Sequence, residues 1–198
     1  MDTDLELIQK ARPTSVEITP LIHNRWSPRS MTAEPLKQEE ILALFEAARH
    51  APSAYNGQPW RFIYATPNDP SWSAFFNLLV EFNQSWCKNA AMLVIVCSRK
   101  NHEHNNKPSR THSYDTGAAW MALALEGASR GLVVHGIEGF SYDQAAILAG
   151  ISSEYQIEAM IAVGRKGSKE DLPAALQSRE TPSSRRPIED IMFHQKMS

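Results

Sequence analysis

Six consecutive residues, Met92-Leu93-Val94-Ile95-Val96-Cys97, are apolar without interruption. A run of this kind shows no alternation between a wet and a dry face. It predicts a central β-strand buried on both sides, which requires a sheet covered by helices on both of its faces. A second segment narrows the choice further. Gly117 to Ala128 (GAAWMALALEGA) is rich in small residues and apolar nearly all the way round. As a helix it has no clear polar face, so it belongs deep in the protein or in a subunit interface. Ser113 and Asp115 are candidate N-caps for this helix, and Gly131 is its expected C-cap.

The remaining pattern alternates helices and strands. Residues 3–11 predict a short opening helix, and 12–37 predict loops with little regular structure. Ile41, Leu44, Phe45 and Ala48 recur at helical spacing, so 38–50 is a helix that Pro52 ends. Trp60 to Thr66 reads as a strand, Trp72 to about Asn83 as one helix, and 99–112 as a polar loop. A short strand at 132–137, a helix at 141–150 and a strand at 157–164 follow. After Gly167 the chain is polar and extended, with a helical turn near Ile191. The whole of 1–198 is expected to form one α/β or α+β domain. Residues from about 168 onward have too few apolar side chains to fold alone, and a partner subunit's surface is a reasonable place for them.

A formal net charge of -2 gives no global attraction to nucleic acid or to an anionic membrane. Any anionic ligand must therefore meet a local basic cluster. The two cysteines, Cys87 and Cys97, fit neither a CxxC pair nor a zinc signature and are expected to be reduced core thiols. The N-terminal stretch is acidic and lacks an apolar signal core, and no apolar run reaches the ~20 residues that span a bilayer. The expected location is the cytoplasm. No metal site is expected. His102 and His104 sit in the polar loop and read best as solvated, and His135 reads as a core or cleft histidine.

The sequence has no GxSxG elbow, phosphate-binding GxxxxGK[ST] loop, HExxH helix or GxGxxG turn. Three local features carry chemistry instead. Arg25-Trp26-Ser27-Pro28-Arg29 offers two guanidinium groups and a hydroxyl within five residues, a donor set suited to phosphate. Pro52-Ser53-Ala54-Tyr55-Asn56-Gly57-Gln58-Pro59-Trp60 sets amide donors and acceptors in a stiff loop that suits the polar edge of a heterocycle. Gly136-Ile137-Glu138-Gly139-Phe140 ends a strand with glycines that let a backbone N–H approach a ligand. Ser183-Ser184-Arg185-Arg186-Pro187 adds a basic spot, and with Arg25 and Arg29 it could neutralise a phosphate dianion.

The order R-x-S-x-R, P-S-A-Y-N-G-Q-P-W, G-I-E-G-F and R-R-P, with the small-residue helix in the expected place, resembles the FMN-dependent nitroreductase family. The resemblance runs from about residue 20 to 191. It implies an α+β fold with a mixed central sheet flanked by helices. It also implies an intertwined homodimer with FMN at the interface and an exchanged C-terminal arm. On this sequence, Arg25 and Ser27 would meet the phosphate and ribityl end of FMN, and Arg29 would lie near flavin N1 and the C2 carbonyl. Pro52, Ser53, Ala54, Asn56 and Gln58 would line the ring from the other subunit. Asn83 would meet the pyrimidine edge. Ile137, Glu138 and Gly139 would lie against the ring, with the Gly139 N–H at N5. Arg185 and Arg186 would return to the phosphate. Positive charge near N1 stabilises the anionic reduced flavin, and no side-chain acid or base is obligatory.

Two departures from the family pattern matter. Where some relatives carry a lysine near N1, this chain has Trp86, which leaves the charge to Arg29 or to Lys88. The segment between Cys97 and Ser113 is short, which implies an open cleft. The activity implied is ping-pong hydride transfer from NAD(P)H, through flavin N5, to electron-poor acceptors such as nitroaromatics or quinones. The alternatives are another reduction in the same pocket (dehalogenation, enal reduction, flavin breakdown) or a flavin-binding module without turnover.

Overall fold

The computed structural model describes residues 3–197. In chain order it contains helix α1 (Thr3–Ala11), α2 (Pro20–Asn24), strand β1 (Met31–Thr32), α3 (Gln38–Arg49), β2 (Trp60–Ala65), α4 (Trp72–Asn77), α5 (Glu81–Cys87) and β3 (Met92–Arg99). There follow α6 (His112–Ser129), β4 (Leu132–Ile137), α7 (Tyr142–Leu148), β5 (Tyr155–Lys166) and α8 (Ala174–Gln177).

The uninterrupted apolar run is β3, and its residues 92–98 are all buried. Its side chains alternate between two cores. Leu93 and Ile95 join Phe75, Leu78, Trp86, Val133, Ile137, Phe140 and Met160 on one face. Met92, Val94 and Val96 join Ile41, Leu44, Ala119, Leu123 and Ile161 on the other. Helices α4, α5, α7 and α8 cover the first face, and α3 and α6 cover the second. The result is a three-layer α+β structure, as the double burial of the strand requires.

β3 lies between β2 and β5, and β5 pairs on its far side with β4. Arg165 of β5 has two partners, Leu132 on one side and Thr32 on the other, so β1 extends the β3 side of β5. Every one of these pairs is antiparallel, whereas the resemblance implied a mixed sheet. The cause lies in the crossover β3–α6–β4. It makes β3 and β4 parallel to each other, but β5 inserts between them and runs against both.

Several local expectations are corrected by tertiary contacts. The helix expected from Trp72 to Asn83 is two helices. The chain at Leu78–Val80 pairs with Gly139–Ser141 instead: Ser141 N–H donates to the Leu78 carbonyl at 2.8 Å and Val80 N–H to the Gly139 carbonyl at 3.1 Å. Thr111, not Ser113 or Asp115, precedes the first turn of α6. Asp115 sits inside that turn and accepts from the Ala54 N–H (3.1 Å) and the Thr111 hydroxyl (3.2 Å). The stretch 12–37 holds α2 and β1. Gly131 does follow α6, at φ +71°, a conformation that suits glycine.

The segment after 167 also differs from a free arm. Leu172 and Leu176 pack into the chain's own core, and Glu180 is buried. Beyond it, Ile188, Ile191 and Met192 are exposed. The expected turn near Ile191 is a single 3-10 turn at Ile188–Asp190.

Cys87 and Cys97 are both buried free thiols. Burial pushes the Cys87 thiol up strongly and the Cys97 thiol up to about 11, so neither is thiolate near neutrality. Both should resist alkylation by iodoacetamide at pH 8 and react only after denaturant is added. Fast labelling of the native protein would contradict this burial.

Candidate functional site

A cavity of about 300 Å³ is lined by Arg12, Arg25, Trp26, Ser27, Arg29, His135, Arg179, Thr181, Ser183 and Arg185. Four parts of the chain build it: the end of α1, the irregular 25–29 loop, β4 through His135, and the segment after α8. Arg12, 6 % exposed, fastens them together. Its guanidinium donates to the Ser183 carbonyl at 2.9 Å, the Arg25 carbonyl at 2.8 Å and the His23 carbonyl at 3.3 Å. Arg25 donates to the Ser27 hydroxyl at 3.2 Å.

The electrostatics of this cavity are one-sided. Burial, followed by the positive charges of Arg185 and Arg25, holds Arg12 below the ordinary arginine value. Burial and Arg185 do the same to Arg25. Among the described residues, the charged groups that shift these two arginines are themselves arginines. Like charges gathered without a counter-charge are unfavourable in isolation and become favourable around an anion.

His135 stands on β4 at the cavity wall. Its Nδ1 lies 2.8 Å from the Pro28 carbonyl, so the proton on that nitrogen is the donated one. Burial lowers its pKa; hydrogen bonds to the loop backbone oppose this, while Arg29 and Arg25 reinforce it. The imidazole is therefore neutral at pH 7.

The same strand leads to a second cavity. Ile137 and Glu138 line a space of about 390 Å³ with Val96, Gly136, Thr116 and Trp120. Gly136 lies directly against the Trp120 ring, which a Cβ there would meet at 3.4 Å. The Trp120 Nε1–H is buried without a hydrogen-bond partner among the described residues, as is the Arg29 Nε–H. Ser113 and Glu158 close one end of this cavity. Glu158 accepts from the Ser113 hydroxyl at 2.8 Å and from Ser98, whose oxygen also lies 2.7 Å from His112 Nδ1.

Asn83 and Gly139 meet because the expected long helix breaks. Asn83 Nδ2 donates to the Gly139 carbonyl at 2.9 Å, and its Oδ1 accepts from Trp86 Nε1 at 3.1 Å. The Asn83 side chain thus braces the 139 peptide. Trp86, at the position that raised doubt in the sequence, is 2 % exposed and packs against His135 at 4.6 Å between centroids. Lys88 is exposed and lines neither cavity, which leaves Arg29 as the cation at that end.

Not every expected residue joins these cavities. Arg186 is exposed and outside the wall that Arg185 completes. Ser53, Ala54 and Gln58 belong to a separate loop, tied to α6 through Asp115, with Ser53 Oγ accepting from the Gln58 N–H at 3.0 Å. Tyr55, Asn56 and Gln58 have φ between 44° and 54°, strained values for non-glycine residues. Tyr55 is 84 % exposed and rests beside His102 and His104. Arg12, Arg179, His135 and Glu180 escaped the sequence reading as site residues. Arg12, Arg179 and Glu180 are single charged residues outside the motifs, and His135 only borders the 136–140 motif; tertiary folding brings all four to the cluster.

The model of the nitroreductase family matches residues 22–70 and 71–165. A solved structure described as an oxidoreductase containing FMN is 39 % identical, with a TM-score of 0.90 over 94 % of this chain and 96 % of that one. A nitroreductase family protein from Clostridium difficile 630 shares the fold at a TM-score of 0.70 and 17 % identity, over 92 % of this chain and all of that one. An oxygen-insensitive NADPH nitroreductase of Helicobacter acinonychis is 39 % identical over 62 residues, which are 31 % of this chain and 29 % of that protein. With the family model spanning most of the chain, on a fold shared at a TM-score of 0.90 with an oxidoreductase containing FMN, the protein belongs to the nitroreductase family.

Proposed function

We propose that this chain is an FMN-dependent oxidoreductase that works as a homodimer. Reduced nicotinamide would serve as the electron donor, and an electron-poor acceptor such as a nitroaromatic or a quinone would follow it in the same place. The observation that carries the reading is the arginine cavity: Arg12, Arg25, Arg29 and Arg185 converge from both ends of the chain, and the described charged groups acting on Arg12 and Arg25 are other arginines. A phosphate monoester is the anion that such a donor set fits best. The two unpartnered buried donors, Arg29 Nε and Trp120 Nε1, lie on the two neighbouring cavities and ask for acceptors.

Bound FMN supplies the redox chemistry, accepting and releasing a hydride. The residues supply binding and field. Arg25, Ser27 and Arg185 hold the phosphate end. Arg29 offers positive charge to the pyrimidine side of the ring, where reduction builds negative charge. Asn83 fixes the Gly139 peptide, whose N–H serves N5, and Ile137 and Glu138 flank it. No proton transfer by a side chain is obligatory in this scheme.

Dimerisation explains three exposed features. The outer side of α6 carries Tyr114, Gly117 and Met121, with Met121 38 % exposed. The arm beyond Pro187 exposes Ile188, Ile191 and Met192. The strained 53–58 loop exposes Tyr55 and contributes no residue to its own arginine cavity, as a loop that lines a partner's ring would. One FMN-binding domain over 1–198 is the organisation proposed, with residues 1, 2 and 198 outside the described part. No helix among the described residues is long and apolar enough to cross a membrane, and we place the enzyme in the cytoplasm.

The purified protein should be yellow, elute as a dimer and release FMN on denaturation. Anaerobic NADH or NADPH should bleach it, and a panel of nitro, quinone, halogenated and enal acceptors should restore the colour selectively. A colourless monomer that ignores added FMN would overturn the reading. A flavin-loaded dimer that neither nicotinamide reduces would remove the donor from it.

A further inference from the structure

Glu180 belongs to no motif in the sequence, yet it is 7 % exposed in the segment that delivers Arg185 to the cavity. Its Oε1 accepts two main-chain donors, the Arg29 N–H at 2.7 Å and the Ser30 N–H at 2.9 Å, across 151 and 150 residues of sequence. Its Oε2 is buried with no hydrogen-bond partner among the described residues. The carboxylate therefore grips the backbone of Arg29 without being neutralised by an ion pair. Neighbouring contacts tighten the same joint: Ser30 Oγ donates to the Ser168 carbonyl, and Gly167 N–H donates to the Ser30 carbonyl at 3.0 Å. Arg179 and Thr181, on either side of Glu180, line the arginine cavity.

The geometry points to Glu180 as a positioning residue, an inference that rests on the FMN reading. It pins the backbone of the Arg29 loop to the C-terminal segment through the Arg29 and Ser30 N–H groups, so the two halves of the anion site form together.

Two variants test this in the full-length protein. Glu180→Gln keeps an acceptor oxygen for both N–H groups, and its affinity for FMN and for inorganic phosphate should change by less than about threefold. Glu180→Ala leaves two buried N–H groups without an acceptor and frees the loop. Its affinity for both FMN and inorganic phosphate should weaken by roughly tenfold. Wild-type phosphate affinity in the Ala variant, or an equal loss in the Gln variant, overturns the pinning role. If the wild-type protein binds inorganic phosphate and no flavin, the FMN reading fails by itself, and pinning is then judged by phosphate affinity alone.

Discussion

Arg25→Ala should weaken FMN binding by roughly 10- to 100-fold, the cost of losing a charge-assisted contact of about 1.5–3 kcal/mol. The same variant should leave the melting temperature of the flavin-free protein unchanged or higher. That combination follows from the one-sided electrostatics of the cavity, since burial and Arg185 already disfavour the Arg25 charge in the empty protein. A residue that served folding would show the opposite pattern, with lower stability and no specific effect on ligand. Arg49→Ala is the matched control. Arg49 is exposed and paired with Glu46 on the surface of α3, and its loss should leave FMN affinity as it was. Fluorescence titration of apo-protein with FMN and thermal melting with and without FMN measure both quantities. Equal FMN affinity for Arg25→Ala and wild type would remove Arg25 from the site.

Gly139→Ala is expected to be the second large effect. A Cβ at this position would stand 2.6 Å from Asn83 Nδ2 and 3.1 Å from Val80 Cγ2. Those are the residues that hold the 139 carbonyl, so the added methyl pushes directly on its own braces. Overpacking of this kind costs about 2 kcal/mol, which lowers the melting temperature of a chain this size by roughly 4–8 °C. FMN binding should weaken as well, because the peptide proposed to meet the ring is displaced. Gly127→Ala gives a comparison of similar physical origin. Its Cβ would stand 2.4 Å from Val134 Cγ2 and 3.3 Å from Leu44 Cδ2, in the core between α6 and β4. It should destabilise the fold comparably, less the gain in helix propensity, yet retain FMN affinity once folded. Parallel loss of FMN affinity in both variants would show that Gly139 has no local role at the ring.

Much of the architecture is legible in the sequence because burial leaves a local signature. The apolar run of β3 announces a strand covered on both faces, and the stripe of Ile41, Leu44 and Ala48 announces which side of α3 turns inward. The break between α4 and α5 is not legible. Phe75, Phe76, Leu79 and Val80 keep helical spacing through it, and only the pairing of Leu78–Val80 with Gly139–Ser141 stops the helix. The site divides in the same way. Arg25, Ser27 and Arg29 stand close in sequence, and their chemistry shows in the spacing. Arg12 and Glu180 are single charged residues whose partners are main-chain groups far along the chain, and main-chain partners leave no trace in composition. The family pattern draws attention to Asn83, but its two bonds, to Gly139 and Trp86, leave no mark in the sequence.

The joining of Arg12 and the 25–29 loop to Ser183 and Glu180 also separates two kinds of information along the polypeptide. All five strands precede Glu180 in the chain, since β5 ends at Lys166. The sheet is therefore encoded wholly upstream of the residues that close the arginine cavity. A chain cut after the final strand would keep every strand, yet it would lose Leu172 and Leu176 from one core and Arg179, Ser183 and Arg185 from the cavity wall together.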